Sequence, residues 1–235
     1  MIRKANDYVE FVTVSRVQIE PVLFGNTPFF GCSPALAGIG LSYRTVLRRI
    51  AQGERDMYES PRDMERLDEQ LRASIERAGP FLRSSFEMPE HSLNAAQLTR
   101  YLQSINQVAL ATVTARGDPR VAPIGAFLYR GHFYIPTTMQ AARVRHVRRR
   151  PAISLTLFEG IDFAVIAHGN AVVLGESEPE FTALIDIQRN GQGETVRDWG
   201  DGAFIRVDAT AIYTYARFPE RFPGDPMMPT EKGLE

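Results

Sequence analysis

Hydrophobic positions change their period near residue 90 of this 235-residue chain. Before that point the clearest pattern is helical. Met64, Leu67, Leu71, Ile75 and Ala78 recur at three- and four-residue spacing and so share one helix face. The end signals agree: Ser60 is a good N-cap, Pro61 suits the first helical position, and Asp63 favours the positive end. Gly79-Pro80 stops the element. The pattern predicts a helix over 60–78 whose apolar stripe is a packing face. Upstream, Tyr8 to Phe24 is rich in Val, Phe and Ile and predicts one or two strands. Asn26 to Gly40, with Gly31, Gly38, Gly40, Pro28 and Pro34, reads as a loop.

After residue 90 a second helix opens with Asn94 and Gln97 at capping-box spacing and buries Leu98, Tyr101, Leu102 and Ile105. Strand patterns then follow at Val108 to Thr114, Arg120 to Tyr129, His132 to Pro136, Ala152 to Phe158, Asp162 to Leu174 and Ala203 to Ala216. Short helices fall at 138–149 and Pro179 to Gln188. Arg116-Gly117-Asp118-Pro119 and Arg130-Gly131 are turn clusters. Gly169 inside the fifth strand predicts a bulge or bend. Three strands joined by tight turns, with few helices, argue against a parallel α/β sheet, which needs crossover helices. The expected class is mainly β (α+β): a six-stranded antiparallel split barrel with flanking helices. Residues 1–90 form an N-terminal α/β extension, 91–217 the barrel, and 218–235 an extended, Pro-rich tail.

Composition narrows the function. The 28 acidic and 27 basic side chains leave a net charge of -1, and 44% of residues are hydrophobic. This is a folded globular composition, not a disordered or fibrous one. Cys32 is the single cysteine, so no internal disulfide or CxxC zinc motif exists. With no apolar run of spanning length and no signal-peptide stretch, the expected location is the cytoplasm, with no membrane partner. His91, His132, His146 and His168 lack metal-binding spacing, so no metal centre is expected. Cys32 has no marked activating base and reads as a buried thiol. His168, beside Gly169, reads as a half-buried strand residue. Trp199, Tyr213 and Tyr215 are candidates for stacking on a ring or substrate.

The stretch from Phe133 to Pro151 carries the chemistry. A strand ends in Thr137-Thr138 and feeds a helix, with Thr137 and Gln140 at capping-box spacing. A helix start offers free N–H groups and a positive partial charge. Two hydroxyls and an arginine one turn on make a phosphate socket of Thr137, Thr138 and Arg143. Val144 and Val147 pin the helix to the barrel, which turns Arg145 and Arg149 to solvent as an ordinary basic face. Arg148-Arg149-Arg150 is locally basic, but the chain is slightly acidic and has no helix-turn-helix, zinc-finger or RNP pattern, so no nucleic-acid partner is expected. Lys4 and Lys232 are the only lysines, and a GC-rich coding bias explains the wealth of arginine.

Several short segments, in this order, resemble the pyridoxamine-phosphate-oxidase-like, flavin-binding split-barrel superfamily. They are Ala109-Leu-Ala-Thr-Val113, Gly117-Asp-Pro-Arg-Val-Ala-Pro123, Phe133-Tyr-Ile-Pro-Thr-Thr138 and Arg143-Val-Arg-His-Val-Arg-Arg-Arg-Pro-Ala-Ile-Ser154. The resemblance covers about half the chain and leaves out residues 1–90. It implies a homodimer with a flavin in a cleft between two barrels. Backbone at Arg120, Val121, Ala122 and Pro123 would lie along the ring, and Thr137 and Thr138 would hold the phosphate or ribityl hydroxyls. Arg143 would be the basic phosphate ligand, and His146 stands where relatives often have asparagine. The implied activity is an FMN-dependent oxidoreductase moving a hydride to or from a small organic substrate. Alternatives are a reductase using the deazaflavin coenzyme F-420, or a non-catalytic flavin- or haem-binding module. The aromatic loop from Phe24 to Gly40 is expected to act as a lid on the substrate side, or residues 1–90 to extend the dimer contact.

Overall fold

The computed structural model describes residues 58–222. The expected strands at Tyr8 to Phe24, the loop Asn26 to Gly40, Cys32 and the tail beyond Phe222 lie outside the described residues.

Helix α1 spans Pro61–Arg77. The Asp63 N–H donates to Ser60 Oγ at 3.2 Å and the Ser60 N–H to Asp63 Oδ2 at 3.0 Å, which satisfies donors the helix start leaves free. Leu67 and Leu71 pack into the barrel core. The Ile212 N–H donates to Ser74 Oγ at 3.0 Å and ties the helix to the sheet. Gly79-Pro80 ends α1, as expected, but Pro80 also opens a short helix α2, Pro80–Ser85. Proline fits the first helical position as well as it blocks an interior one. No pattern announced α2, because it buries no residue. Helix α3, Ala95–Leu102, has the expected capping box: Gln97 N–H to Asn94 Oδ1 at 2.9 Å and Asn94 N–H to Gln97 Oε1 at 3.0 Å.

Six strands follow: β1 Asn106–Val113, β2 Pro119–Tyr129, β3 His132–Thr138, β4 Ala152–Glu159, β5 Phe163–Leu174 and β6 Gly202–Ala216. They close into an antiparallel barrel in the order β1-β2-β3-β6-β5-β4, with β4 pairing back to β1. Alternate residues point inward, so Leu110, Leu128, Ile135, Leu155, Val165 and Ile205 fill the interior. Helix α4, Ala142–Arg149, joins that core through Val144 and Val147, which are 0% and 3% exposed. Helix α5, Phe181–Gln192, covers the outer face instead. There Phe181 and Leu184 meet Phe127, Tyr134 and Phe204 in a second core. Phe222, after a 3₁₀ turn at Pro219–Arg221, stacks on Phe163 at 5.3 Å.

Gly169 sits at the expected bulge: His168 pairs with Ala211 but Gly169 with Ala209, so Thr210 is the extra residue. A Cβ on Gly169 would lie 2.7 Å from the Ala209 Cα and against the Asp208 carbonyl. Backbone on both sides cannot give way cheaply. Gly169→Ala should cost about 1–3 kcal/mol, as overpacking does, and lower the melting temperature by roughly 3–10 °C. An unchanged melting curve would contradict the bulge geometry.

Glu59 supplies a second stability prediction. It is 9% exposed, and its Oε1 accepts the Arg130 N–H of the β2–β3 hairpin at 3.0 Å. Its Oε2 has no hydrogen-bond partner among the described residues. Burial pushes this carboxyl up from the ordinary range, although backbone N–H groups pull the other way. The folded state therefore keeps a proton that the unfolded chain releases. That stability is full below the unfolded value and is lost as pH rises through the folded one. Glu59→Gln keeps an acceptor and removes the charge. It should raise the melting temperature at about pH 8 and change it little at about pH 4. An equal effect at both pH values would refute the assignment.

Candidate functional site

The strands that form the site separate where they might have paired. Strands β2 and β3 pair at Phe127↔Tyr134, Leu128↔Phe133 and Tyr129↔His132. Beyond that, β2 follows β1 from Ala126 to Pro119, and β3 follows β6 as far as Thr138↔Gly202. The barrel is split between them. Near the β1–β2 turn, the Thr114 N–H donates to the Asp118 carbonyl at 2.9 Å. The two-residue alternation of an antiparallel ladder then turns the backbone groups of Arg120, Ala122 and Ile124 toward β1. Those of Val121, Pro123 and Gly125 face the split.

At the split lies a cavity of about 240 Å³. Ile124 and Gly125 line it from β2, Pro136, Thr137 and Thr138 from β3, Arg143 from α4, and Trp199 from the loop before β6. The expected phosphate socket of Thr137, Thr138 and Arg143 is therefore brought together. Arg143 is half-buried, and its Nη1 donates to Thr137 Oγ1 at 2.8 Å. Thr137 is itself 2% exposed. No carboxylate pairs with Arg143 among the described residues. Burial alone pushes its guanidinium pKa down, which means the cation is short of compensating negative charge. Arg143 is the one ionisable group among the seven lining residues.

The helix start differs from the expected one in detail. Thr137 and Gln140 do not form a capping box. Strand β3 runs on through Thr138, because Thr138 pairs with Gly202 and the Met139 N–H donates to the Asp201 carbonyl at 2.8 Å. A turn occupies 139–141, and α4 begins at Ala142 with Ala141 as N-cap and no side-chain cap. The consequence favours ligand binding. Thr137 Oγ1 is free to meet Arg143, and no side chain occupies the first N–H groups of the helix.

The other expected site residues lie nearby but outside the cavity lining. Arg120, Val121, Ala122 and Pro123 are on β2, continuing from Ile124. Val121 is 68% exposed, and Arg120 Nη1 donates to the Pro119 carbonyl at 2.9 Å. His146 Nδ1 lies 2.9 Å from Thr112 Oγ1, which pins α4 to β1. Arg145, Arg148, Arg149 and Arg150 are exposed. His168 Nδ1 lies 2.7 Å from Ser154 Oγ on the outer sheet face, away from the cavity lining. Tyr213 meets His168 edge-on, and Tyr215 stacks on His91. Sequence reasoning missed Ile124, Gly125 and Pro136. The Gly125 signal was present: a glycine inside a strand marks a place where backbone or ligand comes close.

The sequence pattern of the Pyridoxamine 5'-phosphate oxidase family matches residues 95–216, more than half of the chain. The chain belongs to that family. The match runs from the first residue of α3 to the last residue of β6, so it covers the barrel and every cavity-lining residue. No curated protein matches the chain. Among solved structures, this oxidase-family chain is similar to a conserved hypothetical protein from Mycobacterium tuberculosis, at 18% identity and a TM-score of 0.48, over 61% of this chain and 96% of that one. It is similar to an FAD-binding protein from Mesorhizobium loti, at 20% identity and a TM-score of 0.38, over 46% and 83% of the two chains. It is also similar to an F420 reductase, at 18% identity and a TM-score of 0.40, over 47% and 91%. Among the described residues, no helix is long and apolar enough to cross a membrane.

Proposed function

We propose that this chain is an FMN-dependent oxidoreductase that moves a hydride to or from a small organic substrate. The observation that carries this reading is the half-buried Arg143, without a carboxylate partner among the described residues and bonded to Thr137 at 2.8 Å in the split of the barrel. A phosphate there would supply the charge that burial withholds, and Thr138 and the uncapped start of α4 would add hydrogen bonds. The 240 Å³ cavity is below the roughly 300–1,000 Å³ of a typical small-molecule site. It suits the phosphate end, with the ring running out along the backbone of Val121 and Pro123. Bound there, a flavin supplies hydride transfer at its ring. The chain's own task is to hold the anion, orient the ring along β2 and exclude water.

A homodimer fits the same reading. On the outer face, Val121, Ala111, Ser154 and His168 form one cross-strand row, and Pro123, Ala109, Thr156 and Ile166 the next. No helix described here covers these small and apolar side chains, and Phe158 and Ile161 beside them are 65% and 81% exposed. A second copy would bury this face and complete the wall over the ring. A single cysteine suits the reducing cytoplasm.

The test is the visible absorption spectrum of the purified full-length chain, with mass analysis of the released ligand. A flavin nucleotide is the expected mass. Release of the deazaflavin coenzyme F-420 or of haem would change the cofactor assignment. A colourless chain that takes up no flavin would end the reading.

A further inference from the structure

Trp199 is the sole tryptophan of the chain and lines the Arg143 cavity while 41% exposed. Among the described residues, its indole has no ring contact or hydrogen bond. A large aromatic left half in water forgoes burial that it would otherwise gain. Its loop is nevertheless braced. The Thr195 N–H and Oγ1–H donate to Asp198 Oδ2 at 2.7 and 3.0 Å. The Val196 N–H donates to the buried Gln188 Oε1 at 2.9 Å, and the Asp201 carbonyl holds the Met139 N–H at 2.8 Å. Gly202 lets Val196 approach so closely that a Cβ would meet the Val196 carbonyl group. The backbone that carries the indole is thus braced.

Its position adds direction. The strand order is β2-β3-β6. The exposed run Val121 to Pro123 is on β2, the anchor Thr137-Thr138 on β3, and Trp199 on the loop leading into β6. The phosphate anchor lies between the flavin-ring side and the indole.

We propose that Trp199 is a second ring subsite beyond the phosphate anchor, so that the site takes the dinucleotide FAD, with the flavin ring along β2 and the adenine on the indole. This rests on the flavin reading above and extends it from a mononucleotide to a dinucleotide. Stacking of a base on an aromatic side chain, at about 1.4 kcal/mol per tenfold in affinity, supports a preference of about tenfold.

The experiment is equilibrium titration of the full-length chain, freed of bound ligand, with FMN and with FAD, followed by flavin fluorescence. The wild type should bind FAD about tenfold more tightly than FMN. Trp199→Ala should abolish the preference, costing FAD about tenfold more affinity than FMN. Trp199→Phe should keep most of it, and Arg143→Ala should weaken both flavins. Equal wild-type affinities, a preference that survives Trp199→Ala, or an equal loss for both flavins in Trp199→Ala would each overturn the second subsite while leaving the flavin reading intact. Failure of both flavins to bind the wild type would overturn both proposals.

Discussion

Replacing Arg143 by alanine should raise the dissociation constant for FMN about 10- to 100-fold, while Arg149→Ala should leave it within about twofold. Both residues belong to α4 and carry the same charge. They differ in surroundings. Arg143 is half-buried, lines the cavity and donates to Thr137, whereas Arg149 is exposed. A charge-assisted hydrogen bond in a partly desolvated site is worth far more than a screened charge at the surface. Arg143→Lys should recover only part of the loss, because it keeps the charge without the planar fork. Titration of the full-length variants by flavin fluorescence decides the matter. Comparable losses for Arg143→Ala and Arg149→Ala would mean that general basicity, not a socket, holds the ligand.

The largest stability effect is expected at Phe204. Its ring is fully buried between the outer face of the sheet and α5, edge-on to Phe181 at 5.3 Å and to Phe127 at 6.2 Å. Phe204→Ala should cost about 3–5 kcal/mol, the usual range for emptying such a site. For a domain of this size that is a fall of roughly 6–20 °C in melting temperature. Phe81→Ala, at a residue 72% exposed, should stay within about 0.5 kcal/mol of the wild type. The loss at Phe204 should also reach the cavity. Helix α5 carries Gln188, whose Oε1 holds Val196 and through it the Trp199 loop. Flavin affinity should therefore fall in Phe204→Ala even at temperatures where the chain is folded. A melting curve like that of Phe81→Ala would show that the second core contributes little.

Local chemistry was legible in the sequence where the cause was local. Ser60 and Asp63, and Asn94 and Gln97, cap their helices as their spacing said. Val144 and Val147 are buried and Arg145 and Arg149 exposed because a helix face follows from spacing alone. Gly169 marks a real bulge. The Thr137–Gln140 pair looked identical to a capping box and is not one. What overrides it is a partner 64 residues away, Gly202, which keeps Thr138 in the strand ladder. The cavity walls were invisible for the same reason. Whether Ile124, Gly125 and Pro136 face a ligand depends on where β2 leaves β3, and no local period encodes that divergence. That Thr137, Thr138 and Arg143 come together around one cavity was legible because a strand-to-helix junction is a local motif.

The comparison of FMN with riboflavin, which differ by the phosphate alone, is the most direct measurement. The phosphate socket requires that the full-length wild type bind FMN at least about tenfold more tightly than riboflavin, and that Arg143→Ala bring the two affinities together. Equal affinity of the wild type for FMN and riboflavin would contradict it.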